Sequence, residues 1–194
     1  MVFFGINDIG YSYLHGQWFP HLIDKILLTY EKQILRLYAN GARHFLILNV
    51  PPTHKTPLVT SYGEQSIRFF ESNVADWNQR LAHYVQHFHK RYPGAKATLF
   101  DTHSLYNTIL ASPAQHGISD STNICPSYAT INFDPLLHHP ACKYPLGQHF
   151  WLSSYHSSWK VHQAMADAIV STLADSSQGD RELHIRGGRR LDVH

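Results

Sequence analysis

Residues 44–50 read HFLILNV, and this stretch decides the fold class of the chain. It is a short, almost continuous apolar run, and Pro51 and Pro52 end it at once. Such a run is typical of a strand that is buried on both faces, as in a parallel sheet covered by helices. The stretch therefore predicts an α/β fold.

The segments on either side fit the same class. Residues 2–4 and 96–101 read as two further strands. Helices with one apolar stripe are predicted over residues 19–39, from Tyr62 after a Ser61–Glu64 capping box, over 103–111 and over 158–174. Strands that alternate with helices are the expected order of an α/β layered fold with right-handed crossovers.

Length and composition bound the function. The 194 residues, 43% of them hydrophobic, suit one domain over residues 1–174, and the polar segment 175–194 predicts a disordered tail. The formal charge of +2 argues against a nucleic-acid surface. No apolar run approaches a membrane span, and the first residues do not form a signal peptide. The sequence therefore assigns no localisation.

Two places could carry chemistry. Asn7 and Asp8 follow the first strand, and sites in parallel sheets lie at the carboxyl ends of strands. An asparagine amide there can stabilise an oxyanion, although Asn and Asp are also common in plain turns. His156 precedes a helix and could be a general base, although it is one of 16 histidines and could equally be structural.

Four blocks carry a resemblance to a known family. They are GIND at 5–8, NVPPTHKTPLV at 49–59, DTHSLYN at 101–107 and FWLSSYH-x5-H-x-A at 150–164. In order and spacing they resemble the SGNH, or GDSL, ester hydrolases, most closely the fungal carbohydrate esterases of family sixteen, the acetylesterase group. The resemblance implies a flavodoxin-like three-layer αβα fold with strand order 2-1-3-4-5. This chain would hold the last three strands and lack the first ones.

The resemblance also implies a chemistry. Serine acyl-enzyme hydrolysis of a small ester or acetylated carbohydrate is expected, with no metal or organic cofactor. Asn7 corresponds to the oxyanion donor and His156 to the general base. Ser153 stands where the family has an acid; its hydroxyl can accept the Nδ1 proton but does not stabilise an imidazolium as a charge does. Asp134 is the other acid that could serve, a Cys125–Cys142 disulfide is implied, and the relatives are commonly secreted.

The nucleophile departs from the family pattern. The Gly-Asp-Ser block is expected before GIND, and the 194 residues contain no such block. Ser12 and the SDS of residues 119–121 are poor substitutes, because neither follows a strand through a sharp turn. We therefore expect an N-terminally truncated hydrolase domain that is impaired or inactive as given.

Three further expectations stand beside this one. The chain could instead be a non-catalytic module that binds a glycan or a protein through Trp18, Tyr155 and Trp159. Metal binding by His83 and His87 is a weaker alternative, because both fall on the polar face of their helix. The strand at residues 2–4 would be an unpaired edge, which predicts self-association.

Overall fold

A three-stranded parallel sheet lies at the centre of the molecule. The computed structural model describes residues 1–129 and 138–187. The strands are β1 (Val2–Phe3), β2 (His44–Leu48) and β3 (Lys96–Phe100), paired in the order β1-β2-β3. Ile47 pairs with Val2 on one side and with Leu99 on the other. The predicted α/β class with a parallel sheet is thus confirmed.

Helices connect the strands and pack on the sheet. They are α1 (Ile6–Leu14), α2 (Ile23–Ala39), α3 (Pro57–Ser61), α4 (Glu64–Gln86), α5 (Phe88–Arg91), α6 (Thr102–Ala111) and α7 (Trp159–Gly187). The helices predicted from periodicity correspond to α2, α4, α6 and α7, which confirms them apart from their ends. Among the described residues, no helix combines the length and apolar character needed to cross a membrane.

The core is built from helix stripes that meet alternate strand positions. Phe45 and Ile47 share one face of β2, because successive side chains of a strand point to opposite faces. They pack in one cluster with Ile34 of α2 and Leu81 of α4. A second cluster joins α6 and α7 through Ile109 and Val161. Because α7 also contacts β3, this second cluster lies beside the sheet.

The GIND block is a helix start rather than the turn that its residue types suggested. Gly5 has φ 114°, a conformation that side chains rarely adopt, and a Cβ built there would lie 2.4 Å from the indole of Trp77. The close packing of Gly5 on Trp77 lets the chain leave β1 and enter α1 at Ile6 directly. Asn7 therefore belongs to the first turn of α1.

The predicted capping box is wrong. Ser61 is the last residue of α3, and its Oγ donates to the carbonyl of Leu58. The side-chain cap in this region belongs to α3 instead: Thr56 Oγ1 accepts from the amide of Val59 at 3.2 Å. Since Pro57 then suits the first helical position, a short helix forms before Ser61 and α4 begins only at Glu64.

The long loop between α6 and α7 is closed by a disulfide. Cys125 and Cys142 are bonded to each other, which confirms the pairing implied by the resemblance. The ring of Tyr128 packs inside the closed loop, and its hydroxyl donates to the carbonyl of Tyr144. Asp134, the alternative acid, lies outside the described residues.

The end of the chain differs from the disordered tail expected from residue 175. The backbone of α7 continues as helix to Gly187. Once a helix is nucleated, adding further residues costs little, so a polar segment can extend it. Residues 188–194 lie outside the described part of the chain.

Two asparagine side chains fix the loop that follows β2. Asn49 donates from Nδ2 to Asp101 Oδ1 at 2.8 Å, and its Oδ1 accepts from the amide of His103 at 2.9 Å. Asn78 of α4 donates to the carbonyl of Val50 and accepts from its amide, both at 2.8 Å. The ends of β2 and β3 and the side of α4 are thereby tied at one corner.

We predict that Asn49→Ala lowers the free energy of unfolding by about 2 kcal/mol, because the partly buried amide of His103 loses its acceptor and the Asp101 carboxylate loses one of its hydrogen-bond donors. Urea denaturation measures the change. Asn40→Ala is the control, since Asn40 is exposed and bonds only to the carbonyl of Arg36 four residues earlier. Equal losses in the two variants would contradict the role given to Asn49.

Candidate active site

A cavity of approximately 720 Å³ opens beside the end of β1. Its walls come from α1, the loop after β2, the region of α3 and α4, and residues 151–157. Nine of the 24 lining residues are aromatic: Phe3, Phe4, Tyr11, Tyr13, Tyr62, Phe70, Tyr106, Trp151 and Tyr155. Among its few polar residues are Asn7, Thr53, His156, Ser157 and His162. An apolar cavity with a few grouped polar residues is the usual form of a small-molecule site.

Asn7 stands at the amino end of α1, where the helix faces this cavity. The first amides of a helix have no acceptor within the helix, and the helix dipole favours negative charge at that end. Asn7 is exposed, so its amide is accessible from the cavity. Asp8 lines the same wall. This wall offers hydrogen-bond donors to an anionic oxygen near Asn7.

His156 sits in a tight turn that Ser153 closes. Ser153 Oγ lies 3.3 Å from His156 Nδ1 and accepts from the His156 backbone amide at 3.1 Å. The amide of Leu152 donates to the carbonyl of His156 at 2.8 Å. With Nδ1 protonated and donating to Ser153, Nε2 carries the free electron pair. The hydroxyl of Ser153 thus lies at Nδ1, the position for which the resemblance predicts an acid.

Of the three candidate catalytic residues, two line the cavity and the third contacts one of these two. Asn7 and His156 both line the walls, and Ser153 contacts His156 from the side. Their catalytic roles remain predictions.

The two substitute serine sites are engaged elsewhere. Ser12 is 1% exposed and its Oγ donates to the carbonyl of Ile9 at 2.7 Å. Asp120 accepts from the amides of Thr122 and Asn123, and Ser119 donates to Gln148 at 2.9 Å. These contacts describe a folded turn and a helix interior, neither of which presents a nucleophile.

The histidine pair singled out in the sequence shows ordinary contacts. The rings of His83 and His87 are tilted by 43° to each other, with centroids 4.3 Å apart, on the outer side of α4. His138 Nε2 lies 2.8 Å from the carbonyl of Cys142. In the described part of the chain, no group of three or more His, Cys, Asp or Glu side chains is placed to hold a metal ion.

A polar cluster lies beside the cavity, at the ends of β2 and β3. Burial opposes ionisation of Asp101, yet hydrogen bonds from Ser104 and Asn49 outweigh it and bring its pKa below the usual value. Partial burial lowers the pKa of His103 against the raising effect of Asp101. Lys55 Nζ donates to Asn107 at 2.6 Å. This cluster explains the DTHSLYN block as a helix cap and loop anchor.

Sequence reasoning missed three side chains of the cavity wall. Tyr106, Ser157 and His162 form a hydrogen-bonded row next to His156. The signals were present in the quoted blocks, since Ser157 follows His156 directly and His162 is the second histidine of the last block. They could be recognised only once α6 and α7 were seen to meet at the cavity.

Comparison with known proteins gives a consistent family. The family model described as GDSL-like Lipase/Acylhydrolase matches residues 1–169. An acetylesterase of Thermothelomyces thermophilus is 28% identical over 179 residues, which cover 90% of this chain and 52% of the relative. A GDSL esterase/lipase of Arabidopsis thaliana is 25% identical over 183 residues, covering 89% of this chain and 51% of the relative.

A shorter match is a thermolabile hemolysin of Vibrio parahaemolyticus, 26% identical over 122 residues, which cover 63% of this chain and 27% of the hemolysin. The chain spans about half the length of the acetylesterase and of the plant protein. The family match, by contrast, extends over most of the chain and includes the strands and the cavity walls. The chain therefore belongs to the GDSL-like lipase/acylhydrolase family and has its SGNH α/β fold.

Proposed function

We propose that this chain carries the oxyanion donor and the general base of a carboxylic ester hydrolase. The observation that carries the proposal is the shared cavity of Asn7 and His156, with Ser153 at His156 Nδ1. The family supplies the reaction class. The 28% identical acetylesterase supports an acetyl ester, such as an acetylated carbohydrate, as the substrate class.

In this reaction, His156 Nε2 removes the proton from the attacking hydroxyl while the oxygen of that hydroxyl bonds to the ester carbonyl carbon. The carbonyl oxygen becomes an oxyanion that accepts hydrogen bonds from the Asn7 amide. When the intermediate collapses, the leaving alkoxide takes the proton from His156. No step requires a metal or an organic cofactor.

Ser153 makes His156 a weaker base than an acid would. In serine proteases, replacing the corresponding aspartate with asparagine lowers kcat by about 10⁴-fold, because the amide favours the wrong tautomer of the histidine. A serine hydroxyl can accept from Nδ1 and so allows the right tautomer, but it carries no charge to stabilise the imidazolium. Ser153 Oγ is neutral and lies 3.3 Å away, at the long end of a hydrogen bond. We infer that proton transfer is the step this residue slows.

The nucleophile decides how fast the 194-residue chain works by itself. The family resemblance implies a serine of a Gly-Asp-Ser block, and the sequence contains no such block. Ser12 and Ser119 are committed to other hydrogen bonds. We propose that the chain alone uses water as the attacking hydroxyl and hydrolyses esters slowly.

A second candidate function is binding without catalysis. Trp18, Tyr155 and Trp159 are 60%, 57% and 38% exposed, and exposed aromatic rings can stack on sugar or protein surfaces. Tyr155 also lines the cavity. A glycan bound there would pass close to His156, so the same surface suits either function.

Self-association is proposed for the edge of the sheet. Within residues 1–129 and 138–187, β1 pairs only with β2, so its other side is an edge. Phe4 follows this strand and is 63% exposed, and Leu28 and Leu35 of α2 are also exposed. An unpaired strand beside exposed apolar side chains favours pairing with a second copy.

We predict slow hydrolysis of 4-nitrophenyl acetate by the chain, with the rate lost in His156→Ala because the base is gone. Asn7→Ala should lower kcat by about 10²-fold or to background. His89→Ala is the control, since His89 is exposed and lies outside the cavity. Equal near-background rates in the wild type and His156→Ala would remove the hydrolase proposal for this chain and leave the binding alternative.

Ser153→Asp should raise kcat/KM on the same ester by on the order of tenfold or more, because a carboxylate at Nδ1 stabilises the imidazolium. Ser154→Asp is the matched control: Ser154 is the next residue and its backbone carbonyl accepts from the amide of Leu58. A rate gain in both variants, or in neither, would show that the contact between residue 153 and His156 does not limit the reaction.

Sedimentation velocity over a concentration series should show association that Phe4→Lys reduces, because a lysine beside an edge strand opposes pairing. Val170→Lys is the control, since Val170 is an exposed apolar residue of α7, which contacts β3 at the opposite edge. Association that is absent, or that responds equally to both variants, speaks against the β1 edge.

A further inference from the structure

A row of three hydrogen-bonded side chains lies behind His156. The hydroxyl of Tyr106 is 2.9 Å from Ser157 Oγ, and Ser157 Oγ is 3.3 Å from His162 Nε2. Tyr106 belongs to α6 and His162 to the first turn of α7, while Ser157 lies between them on the segment that carries His156. All three residues line the cavity.

The chemistry of the two ends gives the row a direction. Burial raises the pKa of Tyr106, so its phenol stays protonated and can donate. Partial burial and the neighbouring His156 lower the pKa of His162, so its ring is neutral at pH 7 and offers an acceptor nitrogen. Ser157 can thus accept from Tyr106 and donate to Nε2 of the His162 tautomer that is protonated on Nδ1.

The row anchors the segment that carries His156, whose side chain is exposed. Ser157 is 6% exposed, whereas the neighbouring His156 is exposed to the cavity. Ser157 also pairs with Trp151 through an antiparallel bridge. The His156 ring is thus held by Ser153 on one side, and its backbone is held by Ser157 on the other.

We propose that His162 is a positioning residue for His156. By accepting from Ser157, it locks the backbone next to His156 so that the ring keeps Nδ1 on Ser153 and presents Nε2 to the cavity. The use of this ring as a base rests on the proposed function, but its orientation does not. No covalent step involves His162.

The neutral state of His162 matters for this arrangement. Two protonated imidazoles close together repel each other, so a neutral His162 allows His156 to carry a proton during the reaction. It also keeps the acceptor that Ser157 needs. Glutamine offers a neutral acceptor oxygen of similar reach, so His162→Gln is the conservative variant and His162→Ala is the disruptive one.

Long-range ¹H–¹⁵N spectra of the histidine-labelled chain test the proposal without any turnover. In the wild type, the two ring nitrogens of His156 should show the separate shifts of one tautomer, with Nε2 unprotonated. In His162→Ala and Ser157→Ala, the two shifts should move toward the average of a ring that exchanges between tautomers. His162→Gln should retain the wild-type separation.

Ser158→Ala is the matched control for Ser157→Ala. Ser158 is the adjacent serine, is equally buried, and donates from Oγ to the carbonyl of His149 at 2.6 Å. It should lower the melting temperature by a similar amount and leave the His156 shifts unchanged. Tyr106→Phe loses one hydroxyl only and serves if the alanine variants unfold; it should shift the His156 signals in the same direction.

The proposal is overturned if the His156 shifts stay at wild-type values in folded Ser157→Ala and His162→Ala, or if Ser158→Ala averages them equally. It is also overturned if folded His162→Gln behaves like His162→Ala. A negative ester assay would remove the proposed function and leave this result unaffected. Averaged His156 signals in a hydrolytically active wild-type chain would overturn the positioning role and leave the proposed function in place.

Discussion

The hydrogen bonds of the Asn49 side chain are the constraint on which the arrangement of the site depends. They join the end of β2 to the start of α6 through Asp101 and the amide of His103. The neighbouring residue, Val50, is held against α4 by Asn78. Pro51, Pro52 and Thr53 follow directly and form part of the cavity wall, while α6 carries Tyr106 to the opposite wall. If this corner moved, both walls would move with it.

In the proposed site, the wall that carries Asn7 suits its role better than the wall that carries His156. The Asn7 wall has a helix amino end and an amide, which suit developing negative charge. The His156 wall depends on a single neutral hydroxyl at Nδ1 and on the row of side chains behind it. Under the proposed function, His156 keeps the orientation of a general base, but the neutral hydroxyl stabilises its protonated form less than a carboxylate would. Under the proposed function, this neutral partner slows proton transfer, and the use of water as the attacking hydroxyl slows the reaction further.

The sequence predicted those features that depend on local pattern. The stripes of α2 and α4 repeat every three or four residues, and HFLILNV is a strand by composition alone. Prediction failed where a distant residue decides the outcome. Trp77 packs against Gly5, so the chain turns tightly there and enters α1 directly. Asn7 therefore lies in α1 and not in the turn that the sequence predicted. Ser61 did not cap α4 because Thr56 and Pro57 start a helix earlier. The hydrogen bond between Ser157 and Tyr106 could not be predicted, because it forms only where α6 packs against residues 150–164.

Under the proposed function, Asn7 and His156 flank one tetrahedral reaction centre, with Asn7 at the oxyanion and His156 at the attacking oxygen. Titration of the ¹⁵N-labelled chain with methylphosphonate, a tetrahedral anion that resembles the reaction intermediate, tests it most directly. We predict that the NMR signals of the Asn7 side-chain amide and of the His156 ring shift together and give the same dissociation constant. Shifts confined to only one of them, or to the cluster of Lys55 and His103 outside the cavity, would contradict it.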